Sequence, residues 1–354
     1  HCEALAPVLT DKRVGDVFNP KFVSLKIEAN SPESKLIQQQ KGITYTEFPL
    51  FFFFDSNGTL IHQAAPAEKP NRADFVAEVN RHAQDALNPA MRTSNYASRF
   101  AKGERDLAFL VNYGKYAKAA RAPTRLMQTG ARIGSAMPNP ADLESPTGFH
   151  IIQRLIVDYK NPMAQYFFAN LPKYKAKFKA EDVTNAGEMI LFSTLYGKRT
   201  ARLTSAEVIE IRKQMEKLGT PANVAASRTL LKELESYFRE KKTAQATARF
   251  NAFIKSNKGE LLDYAYLIRL FNEKATDNSH ATSLIQWANN ALRLVKPGEQ
   301  NSKEVAGLYY EQAQAYKRLN NKADGKRAAE KALAVAKVSG EDVRKYNALL
   351  ASLR

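Results

Sequence analysis

The residue best suited to chemistry in this chain is Cys2, the only cysteine among 354 residues. It lies in the segment HCEALAPVL, whose apolar spacing predicts a helix with Pro7 inside it. A thiol at a helix N-terminus faces the positive end of the helix dipole, which favours the thiolate. Cys2 is therefore a candidate nucleophile or leaving group.

Other residue types that could do chemistry are scattered. The histidines His62, His82, His150 and His280 show no metal-ligand spacing, so we expect each to be an ordinary surface or core histidine. No glycine-rich phosphate loop follows a strand signal, and no Ser–His–Asp order is readable. We expect neither a metal nor a cofactor.

Composition indicates a packed globular protein of two or three domains. Hydrophobic residues make up 44% of the chain and aromatic residues 10%. No apolar run approaches 18 residues, so the sequence predicts no membrane span.

The net charge of +17 is unevenly distributed. Residues 1–90 hold 9 Lys and Arg against 11 Asp and Glu, a net −2, so the remainder carries +19. The basic residues are spread over helix faces without interleaved stacking aromatics, which favours a solvated surface and predicts no nucleic-acid partner. The alternative is a functional surface for an acidic partner.

Residues 1–88 alternate helix and strand signals in the order α–β–α–β–β–α. After the opening helix, Phe22–Ala29 alternates apolar and polar residues and predicts a strand. A short helix follows Ser31 and Pro32 and ends at Gly42. Two strands then flank a turn at residues 56–58, and a last helix is predicted from the segment RADFVAEVNRHAQDAL.

Two of these segments carry a resemblance to the thioredoxin family. HCEALAPVL resembles the second half of a Cys-x-x-Cys motif followed by a helix with a kinking proline, and EFPLFFFFDSNGTLI resembles the cis-proline loop, third strand and glycine hairpin. The resemblance implies an α/β thioredoxin-like domain in which Pro49 is the cis-proline. It also implies that the first cysteine and the first strand lie upstream of His1.

The same resemblance implies roles for the site residues. Cys2 would be the resolving cysteine, and His1 would stabilise the reduced thiolate in a Cys-x-His-Cys motif. The cis-proline would leave the backbone of Thr46, Phe48 and Leu50 free to pair with an extended substrate. The alternative is a thioredoxin fold retained for docking, with Cys2 as a small core residue.

Beyond residue 91 the strand signals stop and helices follow one another, giving predicted domains at 1–88, 91–220 and 221–354. Thr204 with Glu207 predicts a capping box for a helix that Gly219 closes, and further helices are predicted near 221–241, 243–256, 258–274, 279–295, 302–319, 322–337 and 340–353. Small and aromatic residues at helical spacing, such as Tyr309 and Ala313 in 302–319 and Gly325 and Ala329 in 322–337, resemble a tetratricopeptide pair. The sequence thus predicts an all-α helical-hairpin region. The whole arrangement resembles secreted thioredoxin-family proteins of Bacteroidetes with a long helical extension.

Two functions follow from these resemblances. The first is a thiol–disulfide oxidoreductase or isomerase of the cell envelope, periplasmic or extracytoplasmic after removal of a signal peptide, whose helical region selects protein clients. The second is a non-catalytic thioredoxin-fold scaffold subunit of an envelope assembly.

Overall fold

The structure is a computed structural model that describes residues 2–256 and 260–353. About 68% of the chain is helical. The chain divides into two compact units, His1–Arg199 and Thr200–Arg354. This division is coarser than the three predicted domains.

The first unit holds twelve helices and one hairpin in its described residues. Proline opens five of these helices and stands at the second position of α11, because a helix leaves its first N–H groups unpaired in any case. In order the elements are α1 (Cys2–Leu9), α2 (Lys12–Phe18), α3 (Pro32–Lys41), β1 (Phe51–Phe54), β2 (Leu60–Ala64), α4 (Arg72–Leu87), α5 (Tyr96–Ala101), α6 (Leu107–Ala119), α7 (Pro123–Ala136), α8 (Pro140–Leu143), α9 (Pro146–Leu155), α10 (Pro162–Ala169), α11 (Leu171–Lys177) and α12 (Ala180–Tyr196).

The predicted hairpin is present. Strands β1 and β2 are antiparallel, with Phe53 opposite His62 and a bulge after Phe53. The Asp55 side chain accepts hydrogen bonds from two backbone N–H groups of the turn, and Gly58 has φ +75°, which a residue with a side chain rarely adopts. These two strands form the only sheet in the part of the chain that the structure describes.

The predicted strand at Phe22–Ala29 is wrong. The segment pairs with no strand among the described residues, although its residues alternate as expected. Val23 and Leu25, which lie on one side of the alternation, are 103% and 76% exposed. An alternating pattern becomes a strand only where another backbone edge accepts its hydrogen bonds. A thioredoxin-like domain is therefore not shown; the sheet has two strands.

Apolar packing covers the β1 side of the hairpin. Leu5 and Val8 of α1 pack with Val14 of α2 and with one face of α4, and Phe51 of β1 joins this cluster. On the other side, β2 contacts α4, α6 and the single turn at Thr93–Asn95. The hairpin is thus held between helices.

The second unit is a run of helical hairpins. Helix α13 has the predicted capping box, Thr204 with Glu207, and ends at Gly219, whose φ is +110°. The predicted helices from 221 to 353 are confirmed within a few residues at each end, except that the predicted start at 258 lies outside the described residues. The helices are α13 (Ser205–Leu218), α14 (Ala222–Arg239), α15 (Thr243–Ser256), α16 (Leu261–Lys274), α17 (Ala281–Leu292), α18 (Lys303–Arg318), α19 (Lys322–Val338) and α20 (Arg344–Ala351).

Helices α18 and α19 pack closely through small residues. Ala313 shares a cluster with Ala328 and Ala329, and a Cβ added to Gly325 would lie 3.4 Å from Cβ of Tyr316. The tetratricopeptide-like spacing thus marks a real helical hairpin. None of the helices in the described residues has the combination of length and apolarity needed to cross a membrane.

One buried polar chain links three helical segments of this unit. Nε2 of His280 lies 3.3 Å from Oδ1 of Asn272, and the Asn272 amide donates to a Glu311 carboxylate oxygen at 2.8 Å. Burial lowers the pKa of His280 to about 4 and raises that of Glu311 to about 7. The two groups are therefore neutral at mildly acidic pH.

Gly148 is predicted to tolerate no larger residue. A Cβ there would lie 2.1 Å from the carbonyl oxygen of Asp142 and 2.7 Å from Cα of Leu143, so α9 would have to move away from α8. Gly148→Ala should lower the free energy of unfolding by about 1–3 kcal/mol, measured by urea denaturation with circular dichroism. In the control Gly134→Ala the new Cβ meets Met163 at 3.5 Å and Oδ1 of Asn161 at 3.7 Å, both ordinary van der Waals contacts, so the change should be neutral or stabilising. Equal effects of the two changes would contradict this packing.

His280 and Glu311 should give opposite pH dependences of stability. Between about pH 5 and 6 unfolded His280 binds a proton that the folded residue lacks, so its contribution increases with pH by up to about 1.4 kcal/mol per unit. Folded Glu311 keeps a proton that the unfolded residue has lost, so its contribution decreases by a similar amount. Unfolding of this unit is followed by the fluorescence of Trp287, the only tryptophan.

The two single variants separate these contributions. Between about pH 5 and 6, the free energy of unfolding should increase with pH in Glu311→Gln and decrease with pH in His280→Gln. In the unmodified chain the two contributions oppose each other, so this free energy should change little. Parallel profiles for both variants would show that the two groups are not neutral in the folded unit.

Candidate functional site

Cys2 lies where thiol chemistry is accessible. It is the first residue of α1, it is exposed, and it forms no disulfide. Leu5 and Val8, one and two turns further on, are buried and fix the helix against α4. His1 lies outside the described residues, so its predicted role beside Cys2 stays a prediction.

The predicted substrate loop has the expected backbone form. The peptide bond between Phe48 and Pro49 is cis, as the resemblance implies. Phe48 is 54% exposed, and its ring packs edge-on against Tyr45 at 6.1 Å. Thr46 and Leu50 are half-buried. Their roles in substrate binding stay predictions.

Helices α6 and α9 hold this loop from one side. The ammonium of Lys115 lies 3.1 Å from the carboxylate of Glu47, and the guanidinium of Arg154 donates to the carbonyl of Thr46 at 3.4 Å. Just before the loop, the N–H of Thr44 donates to the carbonyl of Ala119. The carbonyl of Thr46 is therefore already used, which leaves fewer backbone groups of the loop for a substrate.

The structure connects Cys2 to the loop through shared packing. Phe51, two residues after Pro49, packs against the cluster that holds Leu5 and Val8 of the Cys2 helix. The helix and the loop are thus anchored to one apolar cluster.

A second group of chemical side chains forms a cavity that the sequence did not indicate. One nitrogen each of His62 and His82 and one oxygen of Asp85 lie within 4.8 Å of one another. They border a partly enclosed cavity of about 40 Å³ between β2, α4, α6 and the turn at Thr93. We call it the histidine cavity; it is lined by His62, Gln63, Ala64, Ala65, Arg81, His82, Asp85, Thr93, Tyr96, Asn112 and Lys115.

The backbone of the Thr93 turn fixes His62. The N–H of Thr93 donates to Nδ1 of His62 at 3.2 Å, and the Thr93 hydroxyl accepts from the N–H of Gln63 at 3.1 Å. His62 is only 3% exposed, and within residues 2–256 and 260–353 its buried Nε2 has no hydrogen-bond partner. Burial, followed by the charges of His82 and Arg81, lowers the pKa of His62 to about 4.

One face of α4 supplies the remaining ionisable groups of the cavity wall. His82 Nε2 lies 3.1 Å from the carboxylate of Glu78. The guanidinium of Arg81 pairs with Glu78 at 3.0 Å and with Asp85 at 3.1 Å. Burial and then the charge of Arg81 lower the pKa of His82 to about 4, against the opposing effect of Glu78. Both imidazoles are therefore neutral near pH 7.

Sequence reasoning missed this cavity because its histidines come from different elements, twenty positions apart. The only local signal is the spacing of Glu78, Arg81, His82 and Asp85, which places four ionisable side chains on one face of α4. Such a face is usually solvated, and nothing in the sequence shows that β2 brings His62 to it.

Comparisons of the chain with protein-family models and with curated proteins found no match. The resemblance to thioredoxin-like proteins therefore depends on the residues around Cys2 and Pro49 themselves.

Proposed function

We propose that the first unit carries a thioredoxin-like thiol–disulfide site, in which Cys2 is the resolving cysteine and the Thr46–Leu50 loop receives an extended protein client. The protein is then an oxidoreductase or isomerase of the cell envelope. Its helical second unit would contribute to client selection.

The observation that carries this proposal is the position of Cys2. An exposed thiol begins a helix whose buried face shares one apolar cluster with the strand following the Pro49 loop. Thiol–disulfide exchange needs such access, because a thiolate sulfur must approach the disulfide in line.

The chemistry needs a second thiol, which the resemblance places three residues before Cys2. In reduction, the upstream thiolate attacks a client disulfide and forms a mixed disulfide, releasing one client thiolate. The Cys2 thiolate then attacks the upstream sulfur, so the client leaves with both sulfurs reduced and the enzyme holds a disulfide. Oxidation of a client is the same sequence in reverse.

A docking function is the second candidate, and a separate observation favours it. The segment Phe22–Ala29 has no strand partner in the described residues and presents Val23 and Leu25 to solvent. A segment with this alternating pattern can pair with a strand of another protein. This supports a scaffold subunit in an envelope assembly.

Cys2→Ser should trap clients on the enzyme expressed from its natural start. Without the resolving thiol, the upstream thiolate should attack a disulfide-bonded test protein and stay bound to it, so mixed disulfides accumulate as adducts on non-reducing gels and reduction of that protein stops. Thr10→Ser, an exposed change just after α1 that removes no thiol, is the control. Full turnover by Cys2→Ser, or a natural sequence without the upstream cysteine, would refute the redox function and leave the docking function.

Client binding should also weaken with salt. The guanidinium of Arg154 donates to the Thr46 carbonyl, so a cation lies beside the backbone of the client loop. We therefore expect the affinity for an acidic client peptide to decrease as the ionic strength increases. A fluorescence-anisotropy titration at low and at high salt measures this affinity. A matched peptide with its acids changed to amides is the control. Equal salt dependence of both peptides would exclude an electrostatic contribution.

A further inference from the structure

We propose that the histidine cavity is a binding site for a small oxyanion of the size of a carboxylate group. The residue types alone would suggest a metal site, since two histidines and an aspartate converge there. Hydrogen bonding and charge in the cavity both point to an anion instead.

The hydrogen bonds of His62 decide which ring nitrogen carries the proton. Nδ1 accepts from the N–H of Thr93, so its lone pair is occupied and the neutral ring carries its proton on Nε2. That Nε2–H is a buried donor without an acceptor among the residues that the structure describes. A buried donor left unpaired costs about 1–3 kcal/mol, which a ligand oxygen would offset.

A metal ion would require the opposite arrangement. A histidine that binds a metal through one nitrogen donates the N–H of the other to a protein acceptor. In His62 the second nitrogen already accepts a hydrogen bond, so Nε2 has no free lone pair to offer a cation.

The charges around the cavity also favour an anion. Two cations, Arg81 and Lys115, line it against one lining carboxylate, Asp85. Arg81 pairs with Asp85 and with Glu78 outside the lining, and Lys115 pairs with Glu47. Burial is the main cause of the low pKa of His62, and the charges of His82, Arg81 and Arg92 lower it further, so these cations give a positive potential at the imidazole. A divalent cation would be repelled by this potential, and an oxyanion would be attracted.

Lys115 of α6 is a second donor that lines the cavity, so an oxyanion would accept from both Nε2 of His62 and the ammonium of Lys115.

The size of the cavity limits the ligand. A water needs roughly 10–15 Å³ of such space, so 40 Å³ accommodates about three atoms of that size, as in a carboxylate group. Arg81 and Asn112 are exposed lining residues, which gives the cavity a polar opening to solvent.

The test is a titration of the full chain with sodium formate at constant ionic strength. Nuclear magnetic resonance of the histidine ring nitrogens should show saturable shifts at His62, with Nε2 protonated throughout. Formamide, which has the same size and no charge, should not displace formate. His62→Gln and Lys115→Met should each weaken binding about tenfold or more, since each removes a donor to a charged group.

Lys118→Met is the matched control, because it removes the same charge from the same helix at a residue that does not line the cavity. It should leave formate binding within about twofold of the unmodified chain. If His62→Gln does not fold, Lys115→Met still decides. Absence of saturable formate binding, equal binding of formamide, or tight one-to-one binding of Zn²⁺ that is lost in His62→Gln would overturn the proposal.

Discussion

A two-stranded hairpin buries too little surface to be stable alone, so the first unit depends on the helices that cover β1 and β2. Leu5, Val8 and one face of α4 cover the side where Phe51 lies, and α6 and the Thr93 turn lie against β2. Every polar side chain on the covered strand then needs a partner inside the protein. The N–H of Thr93 is such a partner for Nδ1 of His62, whereas Nε2 of His62 has none among the described residues.

The same covering layer positions both candidate sites. Helix α4 contributes the apolar residues that anchor the Cys2 helix, and its ionisable residues form a wall of the histidine cavity. Helix α6 binds the Pro49 loop through Lys115 and Glu47 and lines the cavity with the same lysine. Neither site could be rearranged without moving a helix on which the other depends.

Local signals in the sequence predicted the helices well and the long-range pairing poorly. Two predicted helix starts are confirmed, because each depends only on neighbouring residues. Ser31 caps the helix that begins at Pro32, and Thr204 forms a capping box with Glu207. The strand at Phe22–Ala29 failed because a strand needs a partner that its own residues cannot specify. The histidine cavity was missed for the same reason: His62 and His82 meet only through the packing of β2 on α4. The sequence also identified Cys2 and Pro49 as candidate site residues, and their roles in thiol–disulfide chemistry stay proposals.

Lys115 links the two proposals because its single charge faces both sites. In the structure its ammonium lies 3.1 Å from Glu47, beside the cis peptide of the loop, while the same side chain lines the cavity. An oxyanion in the cavity would share this ammonium with Glu47 and weaken the contact that holds the loop against α6. Linkage requires the reverse effect to be equal, so a client that draws Glu47 away from Lys115 would strengthen anion binding. The two sites are thus connected through one charged contact, even though their proposed ligands differ.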